Sequence, residues 1–245
     1  MPTTTTRPLL LGHRGVRPLP YLGLRWRKSD FPLENTLAAF DYALAHGCDG
    51  FEFDVRYTHD RRSVLWHDPT FERNEVSTLV YEGMERRSGC KIPCLEHVLS
   101  RYASTAYLDI ELKAPGNEEA VVEALHADAP RRGYVVSSFL PEVLLRLYDL
   151  DPRVPLGYIC DQQKKLAVWT DLPITTFFPH HRVVSSALID EAHARGLKVM
   201  TWTVNDREDM LRLAEWGVDG LISDSPTLLS EAFPTTALSK AAAQS

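Results

Sequence analysis

Apolar and polar positions alternate in two rhythms along this 245-residue chain, and the rhythm switches repeatedly. In GFEFDV (50–55) the period is two. Phe51, Phe53 and Val55 fall on one face of an extended segment, and Glu52 and Asp54 fall on the other. In ENTLAAFDYALAHG (34–47) the period lengthens, so that Leu37, Phe40 and Leu44 line one side of a helix that Gly47 ends. Further extended segments are predicted at LLLGH (9–13), TAYLDIELK (105–113), YVVSSF (134–139), VPLGYIC (154–160), ITTFFP (174–179), LKVMTWTV (197–204) and DGLISD (219–224). Between and after them, helices are predicted at IPCLEHVLSRY (92–102), NEEAVVEALHADA (117–129), LPEVLLRLYDL (140–150), QQKKLAVW (162–169), SSALIDEAHARG (185–196), DREDMLRLAEWG (206–217) and PTLLSEAF (226–233). SVLWHD (63–68) reads as an accessory strand beside 50–55, which leaves eight strand–helix units.

Strands separated by helices run parallel, because each crossover needs the helix. Eight such units predict an α/β fold, a (β/α)8 TIM barrel in a single domain over residues 8–233, followed by a C-terminal tail at 234–245. A doubly wound open sheet is the structural competitor. Its dinucleotide fingerprint is missing, since LGHRG offers only Gly12 and Gly15 around charged residues.

Charge narrows the partners. With 27 basic and 33 acidic residues the net charge is −6, and no long block of one sign appears, so no nucleic-acid partner is expected. The three-leucine run near the start is too short for a signal-peptide core, and no stretch reaches membrane-spanning length. The expectation is a cytoplasmic protein without an integral membrane segment. Cys48, Cys90, Cys94 and Cys160 read as free thiols, because CKIPC has no second pair to complete a zinc spacing.

In a barrel of this type chemistry gathers at the C-terminal ends of the strands, and the polar residues do the same. His13 and Arg14 follow the first strand, Glu52 and Asp54 lie in the second, and His67 and Asp68 end the accessory strand. Asp109, Glu111 and Lys113 share one face of YLDIELK, Trp202 and Asn205 end the seventh strand, and Asp224 ends the eighth. A lone strand with alternating acids usually has one wet face. An inward acid of a barrel is wet only where it lines a site, and several together are costly to ionise without compensating charge. Glu52, Asp54 and Glu111 can supply the hard oxygen ligands of one divalent cation, Mg2+ or Ca2+. Lys113 can neutralise a carboxylate or hold a phosphate oxygen, and Asp109, deeper in its strand, reads as a supporting group. His13 and His67 at neighbouring strand ends form a candidate acid and base pair. His180 and His181 read as solvated loop histidines.

These residues lie in motifs that resemble the glycerophosphodiester phosphodiesterases, a family of metal-dependent TIM barrels. The matching segments are GHRG (12–15), ENTLAAF (34–40), GCDGFEFDVRYTHDRRSVLWHD (47–68), IPCLEHVL (92–99), DIELK (109–113), SSF (137–139), GLKVMTWTVN (196–205) and GVDGLISDSP (217–226), in family order over nearly the whole chain. The resemblance implies that His13 and His67 are catalytic, that Glu52, Asp54 and Glu111 hold the metal, and that Arg14 and Lys113 bind the phosphate. It also implies that Trp202 contacts substrate and that Glu34 and Asn205 support the site. The implied reaction cleaves a small-molecule sn-glycerol 3-phosphodiester to an alcohol and glycerol 3-phosphate.

Two departures bear on substrate. Leu33 stands between Pro32 and the Glu-Asn-Thr motif, and the long segment Val16–Leu33 carries Tyr21, Trp26 and Phe31, which predicts a lid or side wall over the mouth. The segment after His67-Asp68 is short and charged. The aromatic loop keeps open an alternative, a lysophospholipase D or sphingomyelinase D-like enzyme that forms a cyclic phosphate. A barrel that binds glycerophosphodiesters without turnover is the alternative from another class.

Overall fold

The strands are rich in apolar residues, and the helices between successive barrel strands bury their apolar residues against them. The computed structural model describes residues 7–17 and 32–234. Most of the expected wall at Val16–Leu33, and the tail beyond residue 234, lie outside the described residues.

The chain runs β1 (Leu9–Gly12), α1 (Leu37–Ala45), β2 (Gly50–Tyr57), β3 (Ser63–Leu65), β4 (Thr70–Phe71), β5 (Asn74–Glu75), α2 (Tyr81–Ser88), α3 (Leu95–Tyr102) and β6 (Tyr107–Leu112). It continues through α4 (Glu118–Ala127), β7 (Tyr134–Ser138), α5 (Pro141–Leu150), β8 (Leu156–Cys160), β9 (Thr176–Pro179), α6 (Ser186–Ala194), β10 (Lys198–Thr201), α7 (Arg207–Glu215), β11 (Gly220–Ser223) and α8 (Pro226–Ala232). Eight parallel strands lie in the order β1, β11, β10, β9, β8, β7, β6, β2, and pairing of β2 with β1 closes the cylinder. The open sheet is thereby excluded. The accessory strand β3 runs antiparallel along the free end of β2, with Val55 opposite Leu65.

Two apolar layers follow from the period-two pattern. Outward residues meet the helices: the Phe51 ring stacks on Phe40 of α1 at 4.1 Å, and Tyr102 of α3 stands edge-on to it at 5.0 Å. Inward residues fill the cylinder, and Leu11, Val135, Ile159, Phe178, Met200 and Ile222 form a separate buried cluster, one residue from each of six strands. Gly157 makes room for it, since a Cβ there would stand 2.4 Å from the Phe178 ring. The other two strands, β2 and β6, bring acids to this interior. They are adjacent, with Glu52 opposite Asp109 and Asp54 opposite Glu111. The interior therefore carries an acidic flank on β2 and β6 beside an apolar cluster drawn from the other six strands.

Two regions depart from the sequence reading. QQKKLAVW, expected as a helix, is a 3-10 stretch at Gln163–Asp171. Leu166, Trp169 and Leu172, spaced by three, pack on the core, a period that matches the tighter 3-10 turn rather than the wider α turn. The charged segment after Asp68 holds the β4–β5 hairpin and α2, which no periodicity announced. Phe71, Val76, Met84 and Ile92, scattered along it, pin it to Val64 and Cys94 in a satellite core. All four cysteines are free thiols. Among the described residues no helix is long and apolar enough to cross a membrane.

Candidate active site

The GHRG turn positions the first two candidate groups. Gly15 has a φ of 82° and accepts no side chain, because a Cβ would meet the Ala39 carbonyl carbon at 2.5 Å. With the Gly15 amide on the Gly12 carbonyl, the turn lies flat against α1 and carries His13 and Arg14 to the cylinder mouth. The Arg14 amide donates to Glu52 Oε2 at 2.9 Å, which fastens this turn to β2.

Glu52, Asp54 and Glu111 are all buried, and each offers a carboxylate oxygen within 4.8 Å of those of the other two. Lys113 Nζ lies 2.6 Å from Glu111 Oε1 and 3.2 Å from Asp54 Oδ1. Arg14 Nε stands 3.0 Å from Asp54 Oδ2, which also accepts Asn35 Nδ2 at 2.7 Å. Two cations thus face three carboxylates, and the imbalance appears in their titration. Burial, reinforced by Asp54 and Glu111, pushes Glu52 well above the ordinary carboxylate range. Burial also raises Glu111 against the opposing charge of Lys113. Burial presses on Asp54 too, but Lys113, Arg14 and the Asn35 hydrogen bond outweigh it and hold that acid at about 2. Glu52 Oε1 is buried with no hydrogen-bond partner among the described residues. A carboxylate oxygen left bare beside two further acids suits a hard dication, and this donor set fits one.

His13 Nδ1 is 2.6 Å from Asp224 Oδ1, and its Nε2 is 3.8 Å from Glu52 Oε2. His67 approaches from the end of β3, with Nδ1 on Asp68 Oδ1 at 2.8 Å and its carbonyl held by Arg56 Nε at 2.9 Å. Burial lowers the His67 pKa, with Asp54 opposing and Arg14 assisting. Trp202, just past β10, donates Nε1 to the Phe178 carbonyl at 2.9 Å and stands edge-on to Phe139 at 5.4 Å. His13, Arg14, Glu52, Glu111, Lys113, His67 and Trp202 line a single cavity of about 280 Å3. Asp54 underlies it through its contacts with Arg14 and Lys113.

Other candidates act at one remove. Glu34 accepts from Arg14 Nη1 at 2.8 Å and from Arg17 Nε at 2.5 Å, and Asn205 bonds to Ser223 and Asp224. Asp109 lines the cavity floor, accepts from Ser137 Oγ at 2.6 Å, and is pushed up to about 8 by burial with help from Glu111 and Asp54. His180 and His181 are half-buried rather than solvated, and His180 stands edge-on to Trp202 at 5.0 Å. The sequence reading gave Asp224 no role, because its partner lies 211 positions away. The available signal was its place at the end of β11, the strand that pairs with β1.

Comparison with known proteins identifies the family and the fold. A sequence profile described as the glycerophosphoryl diester phosphodiesterase family matches residues 23–228. A glycerophosphodiester phosphodiesterase of Caldanaerobacter subterraneus is 29% identical over 80% of this chain and 90% of its own length. A phosphodiesterase of Oleispira antarctica, solved with the product sn-glycerol 3-phosphate, superposes with a TM-score of 0.72 at 26% identity, covering 94% of this chain and 98% of that one. A glycerophosphodiester phosphodiesterase of Thermotoga maritima shares the fold at a TM-score of 0.74 and 23% identity, over 92% of this chain and 98% of that one. The profile match spans well over half of the sequence, and the chain belongs to the glycerophosphoryl diester phosphodiesterase family.

Proposed function

We propose that the protein hydrolyses sn-glycerol 3-phosphodiesters to an alcohol and glycerol 3-phosphate, with one divalent cation, Mg2+ or Ca2+, held by Glu52, Asp54 and Glu111. The observation that carries this reading is the convergence of two histidines and a buried triad of acids on one cavity. When bound, the cation supplies Lewis-acid compensation of charge on the phosphate oxygens. Arg14 and Lys113 add fixed positive charge at the same place, where burial reduces screening by water. One imidazole takes the proton of the attacking hydroxyl as its oxygen bonds to phosphorus. The other gives a proton to the departing alcohol oxygen as the old P–O bond breaks. The attacking hydroxyl belongs to water, or to the substrate's glycerol when a cyclic phosphate forms first. Trp202 and Phe139 offer an apolar wall to the glycerol carbons.

A second reading, cleavage of lysophospholipids, is favoured by a neighbouring cleft of about 310 Å3 whose lining includes Leu33, Trp66, Phe71 and Ile92 and which shares His67 with the first cavity. A panel of glycerophosphodiesters and lysolipids, assayed with each cation after chelation and read by phosphorus NMR, tests both. Glycerol 3-phosphate from short-headgroup diesters supports the first reading, and turnover confined to acyl-bearing substrates supports the second. Binding without hydrolysis under every dication would leave the non-catalytic barrel standing instead.

A further inference from the structure

A chain of hydrogen bonds behind His13 has a polarity that a single backbone amide dictates. The Asp224 N–H can only donate, and it points at Asn205 Oδ1, 2.9 Å away. Ser223 Oγ lies 3.0 Å from the same oxygen. Asn205 is therefore fixed with its amide oxygen toward the backbone, and its Nδ2 is left to donate to Asp224 Oδ2 at 2.7 Å. The second carboxylate oxygen, Oδ1, then receives His13 Nδ1 at 2.6 Å. Arg17 Nη1, 3.8 Å from Oδ1, adds positive charge. Burial alone would raise the Asp224 pKa, but its bond to His13, together with Asn205 and Arg17, holds it below the ordinary value, so a carboxylate rather than an acid faces the ring.

We infer that Asp224 is the positioning residue of His13 and that Asn205 sets the direction of the relay. Together they keep the neutral ring protonated on Nδ1 and present a bare Nε2 to the cavity. The role of His13 in turnover rests on the phosphodiesterase reading above, whereas the tautomer does not.

The direction of the relay makes a distinctive prediction for Asp224→Asn. The new amide must turn its oxygen to Asn205 Nδ2, which puts its NH2 against His13 Nδ1. The ring then carries its proton on Nε2, and the atom facing the cavity has no lone pair to offer. The exchange Asn205→Asp with Asp224→Asn reverses this. The carboxylate introduced by Asn205→Asp still accepts from the backbone amide, the new amide donates to its second oxygen, and a carbonyl oxygen faces Nδ1 again. In the single variant kcat should fall on the order of 10^3 to 10^4-fold with KM within about threefold, as expected for a wrongly held tautomer. The exchange should recover at least about tenfold of that loss.

Nitrogen-15 spectra of histidine-labelled protein at pH 8.5, with the His13 signals identified by their loss in His13→Asn, read the tautomer without any substrate. The expected result is Nδ1–H in the parent protein and Nε2–H in Asp224→Asn. Melting and dication affinity should stay close to those of the parent. An unchanged tautomer in Asp224→Asn overturns the inference, whatever the rate. So does a folded exchange variant no faster than the single one. If the exchange fails to fold, the spectrum of the single variant decides. Absence of diester hydrolysis with the predicted tautomer switch would count against the phosphodiesterase reading alone.

Discussion

His13 and His67 face one cavity from unlike surroundings. The first is tied to a largely buried carboxylate at 2.6 Å, the second to an exposed one at 2.8 Å, and each keeps Nε2 as the ring nitrogen not engaged by that bond. His13→Ala and His67→Ala should each lower kcat by roughly 10^2 to 10^4-fold, the ordinary yield of acid–base catalysis. Melting temperature and cation affinity, measured by calorimetry, should barely move. Near-parent rates in both variants would remove the assigned roles. Asp109 carries a pH signature of its own. Its folded pKa of about 8 lies above that of a carboxyl in the unfolded chain, ~3.9, so between these values the folded state holds a proton the unfolded state has lost. The associated stability is complete below the lower value and is lost as pH rises through the upper one. With a chelator present, Asp109→Asn should therefore melt progressively higher relative to the parent as pH goes from 5 to 8. A difference independent of pH would show that Asp109 ionises like an ordinary surface acid.

Elements decide how far these residues could be seen in advance. The alternation in GFEFDV and YLDIELK placed four acids on one face, and register then set them side by side on β2 and β6. That much is legible because a strand's two faces are written directly in its sequence. The β4–β5 hairpin and α2 were not, since scattered anchors such as Phe71 and Met84 hold them by tertiary contact and leave no period to read, and in the 3-10 stretch the core-facing Leu166, Trp169 and Leu172 follow a period of three rather than that of the expected α-helix. Asp224 was legible as a polar residue at a strand end, but its pairing with His13 was not, because local pattern does not state which strand ends meet around the cylinder. The GHRG turn lies between these cases, because its glycines signal a close approach without naming the partner. Gly15→Ala should test the partner now identified. A methyl group driven into the α1 backbone at a φ of 82° should cost about 1–3 kcal/mol in denaturant unfolding and shift His13 enough to depress kcat. A variant as stable and active as the parent would mean that α1 retreats freely from the turn.

For the molecule as a whole, charge is distributed around a cylinder of which six strands contribute apolar residues and two contribute acids. A bound dication should stabilise the folded state by about 2.7 kcal/mol at a concentration one hundred times its dissociation constant. Thermal shifts should therefore rise with added Mg2+ or Ca2+ and shrink in Glu52→Gln, which keeps the shape of the side chain and removes its charge. An equal shift in that variant would place the ion elsewhere. The closing seam has a further effect. Strand β1 is held by β11 on one side and β2 on the other, and the His13 amide donates to the Ser223 carbonyl at 2.8 Å. During synthesis strand β1 must wait, unpaired along that edge, until more than two hundred further residues have left the ribosome. His13 and its anchor Asp224 meet only then, so on the reading proposed above a polypeptide ending before β11 should show no turnover.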